Sequence, residues 1–135
     1  MDKKIGFIGC GNMGQAMVGG MLTSGLVTKD QVMASCRRKE SAEELKKRFG
    51  ICVTLQNEEV AEFADIIILA VKPNLFSQVI SGIRDVVCAK KEDKLVVSIA
   101  AGKSIDAIRG YFADDIKLVR AMPNTPALVG EAMSA

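Results

Sequence analysis

Three glycines near the amino terminus have the spacing of a phosphate-binding turn. Gly9, Gly11 and Gly14 form a G-x-G-x-x-G pattern directly after a short apolar run and before a helix-compatible segment. In such turns the first glycine permits the tight bend, the second lets a pyrophosphate approach the backbone, and the third lets the helix pack close to the strand. The pattern predicts a dinucleotide phosphate at the helix N-terminus, where unpaired N–H groups favour an anion. The alternative is an ordinary strand-turn-helix corner.

Basic residues follow the second predicted strand, where domains that prefer NAD carry an acidic residue. No carboxylate lies between Asp30 and Glu40. Ser35 can donate a hydrogen bond to a 2′-phosphate, and Arg37 or Arg38 can offer a planar donor fork, each charge-assisted contact contributing about 1.5–3 kcal/mol. The segment therefore predicts NADP(H) as the cofactor. The alternative is that residues 37–39 are ordinary solvated charge before a helix.

Small residues and prolines follow the fourth, fifth and sixth predicted strands, at residues 70–73, 100–102 and 122–126. Ligands of open parallel sheets bind beyond the carboxyl ends of the strands, so these segments should line the same crevice. Their small side chains and free backbone groups suit a ribose and a nicotinamide. Taken singly, the prolines also fit helix starts and turns.

Strands and helices alternate along the whole sequence. The apolar patterns predict a short strand just before Gly9 and further strands at residues 31–36, 51–55, 65–71, 95–99 and 116–121. They predict helices from the glycine turn to about Gly25 and over residues 41–50, 58–64 and 104–112. A further helix is predicted after residue 73, where apolar residues recur at helical spacing at positions 75, 79, 80, 83 and 87. Residues 65–71 should lie at the centre of the sheet because they are the most apolar run. The fold class is α/β, a single domain with an open, mostly parallel, doubly wound, Rossmann-like sheet.

Local signals predict how some of these elements begin and end. Residues 41–44 read as a capping box that starts the second helix, and Gly50 ends it. Asn57 should cap the third helix. The charged run of residues 90–94 predicts a solvated connection.

Composition excludes several classes of function. A chain of 135 residues with net charge +2, one Tyr, five Phe and no Trp has neither a basic face nor a row of stacking rings, so we expect no nucleic-acid partner. The amino terminus resembles neither a signal peptide nor a membrane span, which predicts a cytoplasmic protein with no membrane partner. With four widely spaced cysteines and no histidine, the chain should hold buried free thiols, no metal and no Ser-His-Asp catalysis.

Four motifs together resemble pyrroline-5-carboxylate reductase, and the resemblance extends over essentially the whole chain. They are the glycine turn of residues 9–14, Ala-Val-Lys-Pro at 70–73, Ser-Ile-Ala-Ala-Gly at 98–102, and Arg-Ala-Met-Pro-Asn-Thr-Pro-Ala at 120–127, which is the most specific. The resemblance implies that the cyclic imine of 1-pyrroline-5-carboxylate is reduced to L-proline by hydride from NADPH.

The resemblance also implies roles for individual residues. The pyrophosphate turn comprises Ile8, Gly9, Cys10, Gly11, Asn12 and Met13. Ser35 and Arg37 surround the 2′-phosphate, and Asn57 lies by the adenosine. The ribose and nicotinamide side comprises Ala70, Val71, Lys72, Pro73, Ile99, Ala100, Ala101 and Gly102. Asn124 and Thr125 lie at the mouth, where the substrate would meet the nicotinamide ring.

The chain departs from this family in length. Members continue into an all-helical C-terminal domain that pairs two subunits and completes the imine site, so residues 1–135 correspond to the dinucleotide-binding domain. We therefore expect cofactor binding with little or no turnover by this chain, and a homo-oligomer for the full-length protein. Two alternatives are an NADP-dependent reductase of the 3-hydroxyisobutyrate dehydrogenase type and a non-catalytic NADP(H)-binding module. Lys72-Pro73 and residues 122–126 favour the imine reductase over the dehydrogenase.

Overall fold

Six strands and five α-helices alternate along the described part of the chain. The computed structural model describes residues 3–9, 12–90, 92–99, 105–112 and 116–120, and for residues 12, 13, 73, 105 and 120 it describes the backbone alone. The strands are β1 (Ile5–Ile8), β2 (Val32–Ser35), β3 (Cys52–Thr54), β4 (Ile66–Leu69), β5 (Leu95–Ser98) and β6 (Lys117–Arg120). The helices are α1 (Asn12–Thr23), α2 (Lys39–Phe49), α3 (Asn57–Phe63), α4 (Phe76–Ala89) and α5 (Ile105–Phe112), with 3-10 turns at Lys29–Gln31 and Pro73–Leu75.

The strands form one parallel sheet in the order β3-β2-β1-β4-β5-β6. Ile8 at the end of β1 pairs with Ser35 on one side and with Leu69 on the other. After β3 the chain crosses to β4 on the other side of β1, so the direction of winding reverses between β1 and β4. This reversal opens a crevice at the carboxyl ends of the central strands, where ligands of such sheets bind.

Helices cover both faces of the sheet, and each face has its own apolar core. The helices α1 and α2 pack on one face through residues such as Val18 and Leu45. The helices α3, α4 and α5 pack on the other, with Ile80 and Phe112 among the buried residues. Strand β4 is buried on both faces at the centre of the sheet, as its uninterrupted apolar sequence predicts. The Rossmann-like fold predicted from the sequence is confirmed.

Helix α2 begins earlier than the capping-box prediction. Its first residue is Lys39, its N-cap is Arg38, and the Arg38 side chain makes no capping hydrogen bond. The amide of Ala42 donates to the carbonyl of Arg38 at 3.1 Å, which places Ser41 inside the helix rather than at its start. The predicted end is confirmed, because Gly50 adopts the left-handed conformation (φ 69°) and donates to the Lys46 carbonyl.

The connection before β5 is not uniformly solvated, contrary to the prediction for residues 90–94. Lys94 is 5% exposed, and its Nζ donates to the carbonyl of Ala64 at 2.6 Å and to that of Glu62 at 3.3 Å. These carbonyls belong to the end of α3, where helices leave acceptors without partners. Lys94 therefore caps α3 from the start of β5, and burial lowers the pKa of its amine.

The prediction of buried free thiols is only half right for the cysteines that the structure describes. Cys36, Cys52 and Cys88 are all free, but Cys36 and Cys88 are half-buried and Cys52 is exposed. Cys52 lies on β3, the edge strand, which has a neighbour on one side only. Cys10 lies outside the described residues. None of the described helices has the length and apolar character needed to cross a bilayer.

Candidate functional site

Gly9 forms the turn that leaves β1. Its backbone is left-handed (φ 76°), and a Cβ there would overlap the Val71 side chain of the chain segment that follows β4. Both facts require glycine, as the spacing predicts. The backbone of Asn12 and Met13 forms the first turn of α1, which contains no acidic residue that would oppose an anion. Cys10 and Gly11 lie outside the described residues.

A buried serine connects this turn to α3. Ser35, at the end of β2, is 1% exposed; its Oγ accepts from the Gly9 amide at 3.3 Å and donates to Asn57 Oδ1 at 2.7 Å. Ser35 and Ile8 therefore lie behind the cleft surface rather than on it. Ser35 holds the glycine turn and Asn57 in fixed relative positions.

Asn57 does not cap α3, contrary to the prediction. It is the first residue of the helix, and Gln56 occupies the N-cap position without a side-chain capping bond. Its side chain points towards Ser35 instead, because Oδ1 accepts a hydrogen bond from the buried Ser35 hydroxyl. The amide Nδ2 of Asn57 is thereby left as a donor on the cleft wall, and no residue in the described ranges accepts from it.

A cleft of about 590 Å³ opens where β1, β2 and β4 end. This volume is within the usual range for small-molecule sites. Six of the predicted site residues line it: Gly9, Arg37, Asn57, Ala70, Val71 and Lys72. Of the remaining predicted residues, Ala100, Ala101, Gly102, Asn124 and Thr125 lie outside the described residues. Pro73 begins the 3-10 turn after β4, and Ile99 packs against the core without lining the cleft. The cleft therefore brings the residues predicted for the phosphates and the adenosine together with three of those predicted for the ribose and nicotinamide side.

The side of the cleft formed by α1 and α2 is basic. Arg37, Arg38 and Arg48 line it, and Arg48 Nη1 donates to Gln15 Oε1 of α1 at 2.8 Å. The thiol of Cys36 donates to the Arg38 carbonyl at 3.4 Å, and burial raises the pKa of that thiol. The neutral thiol thus fixes the loop that carries the arginines.

The flanking carboxylates lie away from the end of β2. Asp30 precedes the strand, and a hydrogen bond with Thr28 lowers the pKa of its carboxyl group. Glu40 is exposed in the first turn of α2 and does not line the cleft. Glu44, farther along α2, contributes the carboxylate on this side. The loop directly after β2 is therefore basic, as predicted.

The side of the cleft formed by α3 and α4 is mainly apolar, and the sequence did not predict that these helices line the site. Its lining residues are Leu55, Glu58, Leu75, Gln78, Val79 and Gly82. Of the apolar positions predicted at helical spacing after β4, Ile80, Ile83 and Val87 form the buried face of α4 together with Phe76. Leu75 and Val79, the other two, also line the cleft. The rule that ligands bind beyond strand ends could have identified the first turns of α4, because they follow β4 directly.

Metal chemistry has no support in the described ranges, which contain no group of three or more potential ligands. Around one cleft lie a left-handed glycine turn, three guanidinium groups and the Asn57 amide, which donates to none of the described residues. These groups bind phosphate and hydroxyl oxygens.

Comparison with known proteins agrees with this geometry. The chain is 44% identical over 135 residues to the pyrroline-5-carboxylate reductase of Escherichia coli, covering 100% of this chain and 49% of that protein. It is 38% identical over 133 residues to the enzyme of the same name from Methanosarcina acetivorans, covering 98% and 48%. The chain thus spans about half the length of the curated relatives that it matches.

Two solved structures have the same fold. A pyrroline-5-carboxylate reductase from Coxiella burnetii superposes with a TM-score of 0.87 at 32% identity, over 96% of this chain and 47% of that one. The Plasmodium falciparum pyrroline carboxylate reductase with NADP bound gives 0.81 at 32% identity, over 96% and 45%. A protein-family model described as "NADP oxidoreductase coenzyme F420-dependent" matches residues 4–102, which is most of the chain. The chain therefore belongs to that family of NADP oxidoreductases.

Proposed function

We propose that this chain is the NADP(H)-binding half of a pyrroline-5-carboxylate reductase. The observation that carries the proposal is the cleft at the end of β2, which is lined by Arg37 and Arg38 and by Asn57, whose amide donates to no residue in the described ranges. The similarity to reductases of that name over the full chain supports the same assignment. The reaction would convert 1-pyrroline-5-carboxylate, a small cyclic imine carboxylate, to L-proline.

The residues of the cleft fit the two charged parts of NADP(H). The turn at Gly9 and the backbone at the start of α1 would bind the pyrophosphate, because helix N-termini favour anions. Arg37 would bind the 2′-phosphate with its donor fork. Asn57 Nδ2 would donate to the adenosine ribose, and the bond from Ser35 would hold that amide in the required orientation.

When bound, NADPH supplies a hydride to the imine carbon, the C=N electron pair moves to nitrogen, and the nitrogen takes up a proton. This chain binds and orients the cofactor for that step. Orientation of reacting groups is worth several kcal/mol, roughly 7–11 in the best intramolecular cases. Since the relatives are about twice as long, we propose that the second wall of the imine site and the homo-oligomer contacts belong to the part that they have beyond this match. We also propose that the protein is cytoplasmic and has no nucleic-acid partner.

Fluorescence titration of this chain with NADPH and with NADH tests the cofactor assignment. We expect NADPH to bind roughly 10- to 100-fold more tightly, since the 2′-phosphate gains a charge-assisted contact. Equal affinities would contradict the assignment.

NADPH oxidation in the presence of 1-pyrroline-5-carboxylate tests the activity. We expect turnover from a protein of the relatives' full length and little or none from this chain. A full-length protein that binds NADPH, leaves the imine unchanged and oxidises 3-hydroxyisobutyrate with NADP⁺ would indicate the dehydrogenase. Binding with neither reaction would indicate a non-catalytic module.

A further inference from the structure

Ser98, the last residue of β5, has a buried hydroxyl group that makes no hydrogen bond with any residue in the described ranges. The residue is 0% exposed, so solvent does not supply a partner either. The other buried polar side chains of the described residues, Ser35 and Lys94, both make hydrogen bonds. Leaving a buried hydroxyl without a partner is unfavourable, so the position of this group requires an explanation.

The strand register places Ser98 in the same row of the sheet as Ser35. The row runs from Ser35 through Ile8 and Leu69 to Ser98, and it ends at Arg120 of β6. Residues paired in a parallel sheet share a face, and Ile8 and Leu69 belong to the core on the α3, α4 and α5 side. The two serine hydroxyls therefore lie on one face, on either side of the central strands β1 and β4.

Ser35 shows how a hydroxyl in this row can hold a chain segment at the cleft. Its register partner on β1 is Ile8, and its Oγ accepts from the amide of the next residue, Gly9, at 3.3 Å. By the same geometry, the groups within reach of Ser98 are those that follow its own register partners on β4 and β6.

These two neighbours differ in what they can offer. On β4 the next residue is Ala70, and its amide already donates to the Ile8 carbonyl at 2.9 Å. On β6 the chain continues beyond Arg120 to residues 122–126, which belong to the most specific motif of the sequence and lie outside the described residues. The chain that leaves β6 is therefore the better source of a partner for Ser98.

The end of β5 is also the most loosely paired of three equivalent strand ends. The first amide after the strand donates to the neighbouring strand at 3.1 Å for Cys36 after β2 and at 2.9 Å for Ala70 after β4, but at 3.4 Å for Ile99 after β5. Such bonds usually measure roughly 2.7–3.2 Å. Neither Ser98 nor Ile99 lines the cleft, so a ligand there would act on this strand end through the chain rather than by direct contact.

We propose that Ser98 is a positioning residue whose hydroxyl group forms a hydrogen bond with the chain leaving β6 when NADP(H) occupies the cleft. This inference rests on the proposed function. Asn124 and Thr125, which are predicted to lie where the substrate meets the nicotinamide ring, belong to that part of the chain. Cofactor binding would thus give the hydroxyl its partner and hold the substrate side of the site against the end of β5.

Ser98→Ala tests the inference in two measurements. In the free chain it removes a group that has no partner, so the urea midpoint of unfolding should stay the same or rise. NADPH titration should give an affinity roughly 3- to 10-fold lower, because one hydrogen bond forms only in the complex. Ser35→Ala is the matched comparison, since its equally buried hydroxyl is bonded in the free chain and its loss should lower the midpoint.

Hydrogen exchange and a second variant separate positioning from packing. In the unaltered chain NADPH should slow exchange of the Ile99 amide more than that of Ala70, and Ser98→Ala should lose this difference. Ser98→Thr keeps the hydroxyl group and should keep the affinity for NADPH.

Three results would overturn the inference. A lower midpoint in Ser98→Ala would show that the hydroxyl already has a partner in the free chain. Unchanged NADPH affinity in Ser98→Ala would show that the hydroxyl gains no partner on binding, and an equal loss of affinity in Ser98→Thr would assign the effect to side-chain volume. Failure of the unaltered chain to bind NADPH would instead overturn the proposed function.

Discussion

The hydroxyl of Ser35 joins both walls of the cleft, donating to Asn57 Oδ1 at 2.7 Å while it accepts from the Gly9 amide at 3.3 Å. Ser35 is buried, so solvent does not compete for either bond. The glycine turn and α3 are thereby held together at the end of β2. This arrangement explains how a small buried side chain affects a site whose surface it does not form.

Ser35→Ala should therefore weaken both stability and cofactor binding. Removing the hydroxyl leaves the Gly9 amide and Asn57 Oδ1 without a partner, which costs about 1–3 kcal/mol. Urea unfolding measures the first effect and NADPH titration the second. Ser81→Ala, at an exposed position of α4 that does not line the cleft, is the control. Unchanged NADPH affinity in Ser35→Ala would show that the bridge does not support the site.

Arg37→Ala should lower the affinity for NADPH much more than that for NADH. The expected loss is roughly 10- to 100-fold for NADPH, because one charge-assisted bond to the 2′-phosphate is removed. Parallel titrations with the two cofactors give the ratio. Lys47→Ala removes the same charge from α2 at a position that does not line the cleft, so it controls for net charge. An equal loss for NADPH and NADH would contradict the assignment of the 2′-phosphate to Arg37.

The sequence was sufficient for features that depend on neighbouring residues. The apolar run of β4 predicted its central position, and the left-handed conformations of Gly9 and Gly50 follow from glycine at a strand end and a helix end. The end of β2 was predicted to be basic because no carboxylate is near it in the chain. Such features depend on local pattern, which the sequence displays directly.

Features that depend on contacts between distant elements were not predicted. Asparagine is a residue type that often caps helices, but the side chain of Asn57 accepts a hydrogen bond from Ser35, 22 residues earlier in the chain. Lys94 belongs to a charged run, but the end of α3 lies close enough to bury its amine. Glu58 and Gly82 become neighbours only when α3 packs on α4. The binding roles assigned to the predicted site residues, including those at 100–102, 124 and 125, stay predictions.

Lys94→Met should destabilise the fold without changing cofactor affinity. The Ala64 and Glu62 carbonyls would lose their donor at the end of α3, at a cost of about 1–3 kcal/mol. Urea unfolding checks the first part and NADPH titration the second. Lys90→Met, at an exposed position of the same connection, should have little effect.

Lys94 should also give stability a specific pH dependence. Desolvation lowers the pKa of its amine from the ordinary value of 10.5, so the unfolded chain holds this proton at a higher pH than the folded chain does. Stability therefore rises with pH through the interval between the folded pKa and 10.5. Unfolding free energies measured from neutral to alkaline pH should show this rise in the unaltered chain relative to Lys94→Met. A difference that shrinks with rising pH would contradict the assignment.

Gly82→Ala should stabilise the fold and weaken NADPH binding. Alanine is favoured over glycine inside a helix by up to about 1 kcal/mol. The new Cβ would lie 3.3 Å from Glu58 Oε1, so the carboxylate must move by a few tenths of an ångström at the wall of the cleft. Because Gly82 lines the cleft, the added methyl group narrows it, and side chains forced off their preferred rotamers in the complex would cost about 0.5–1.5 kcal/mol, roughly two- to tenfold in affinity.

Gly110→Ala separates the two effects. Gly110 is an exposed residue of α5, and a Cβ there would meet nothing within 4 Å. It should therefore give the helix stabilisation alone, with unchanged NADPH affinity. Thermal unfolding and NADPH titration of both variants give the comparison. If Gly82→Ala also leaves the affinity unchanged, the cofactor does not occupy the part of the cleft that Gly82 lines.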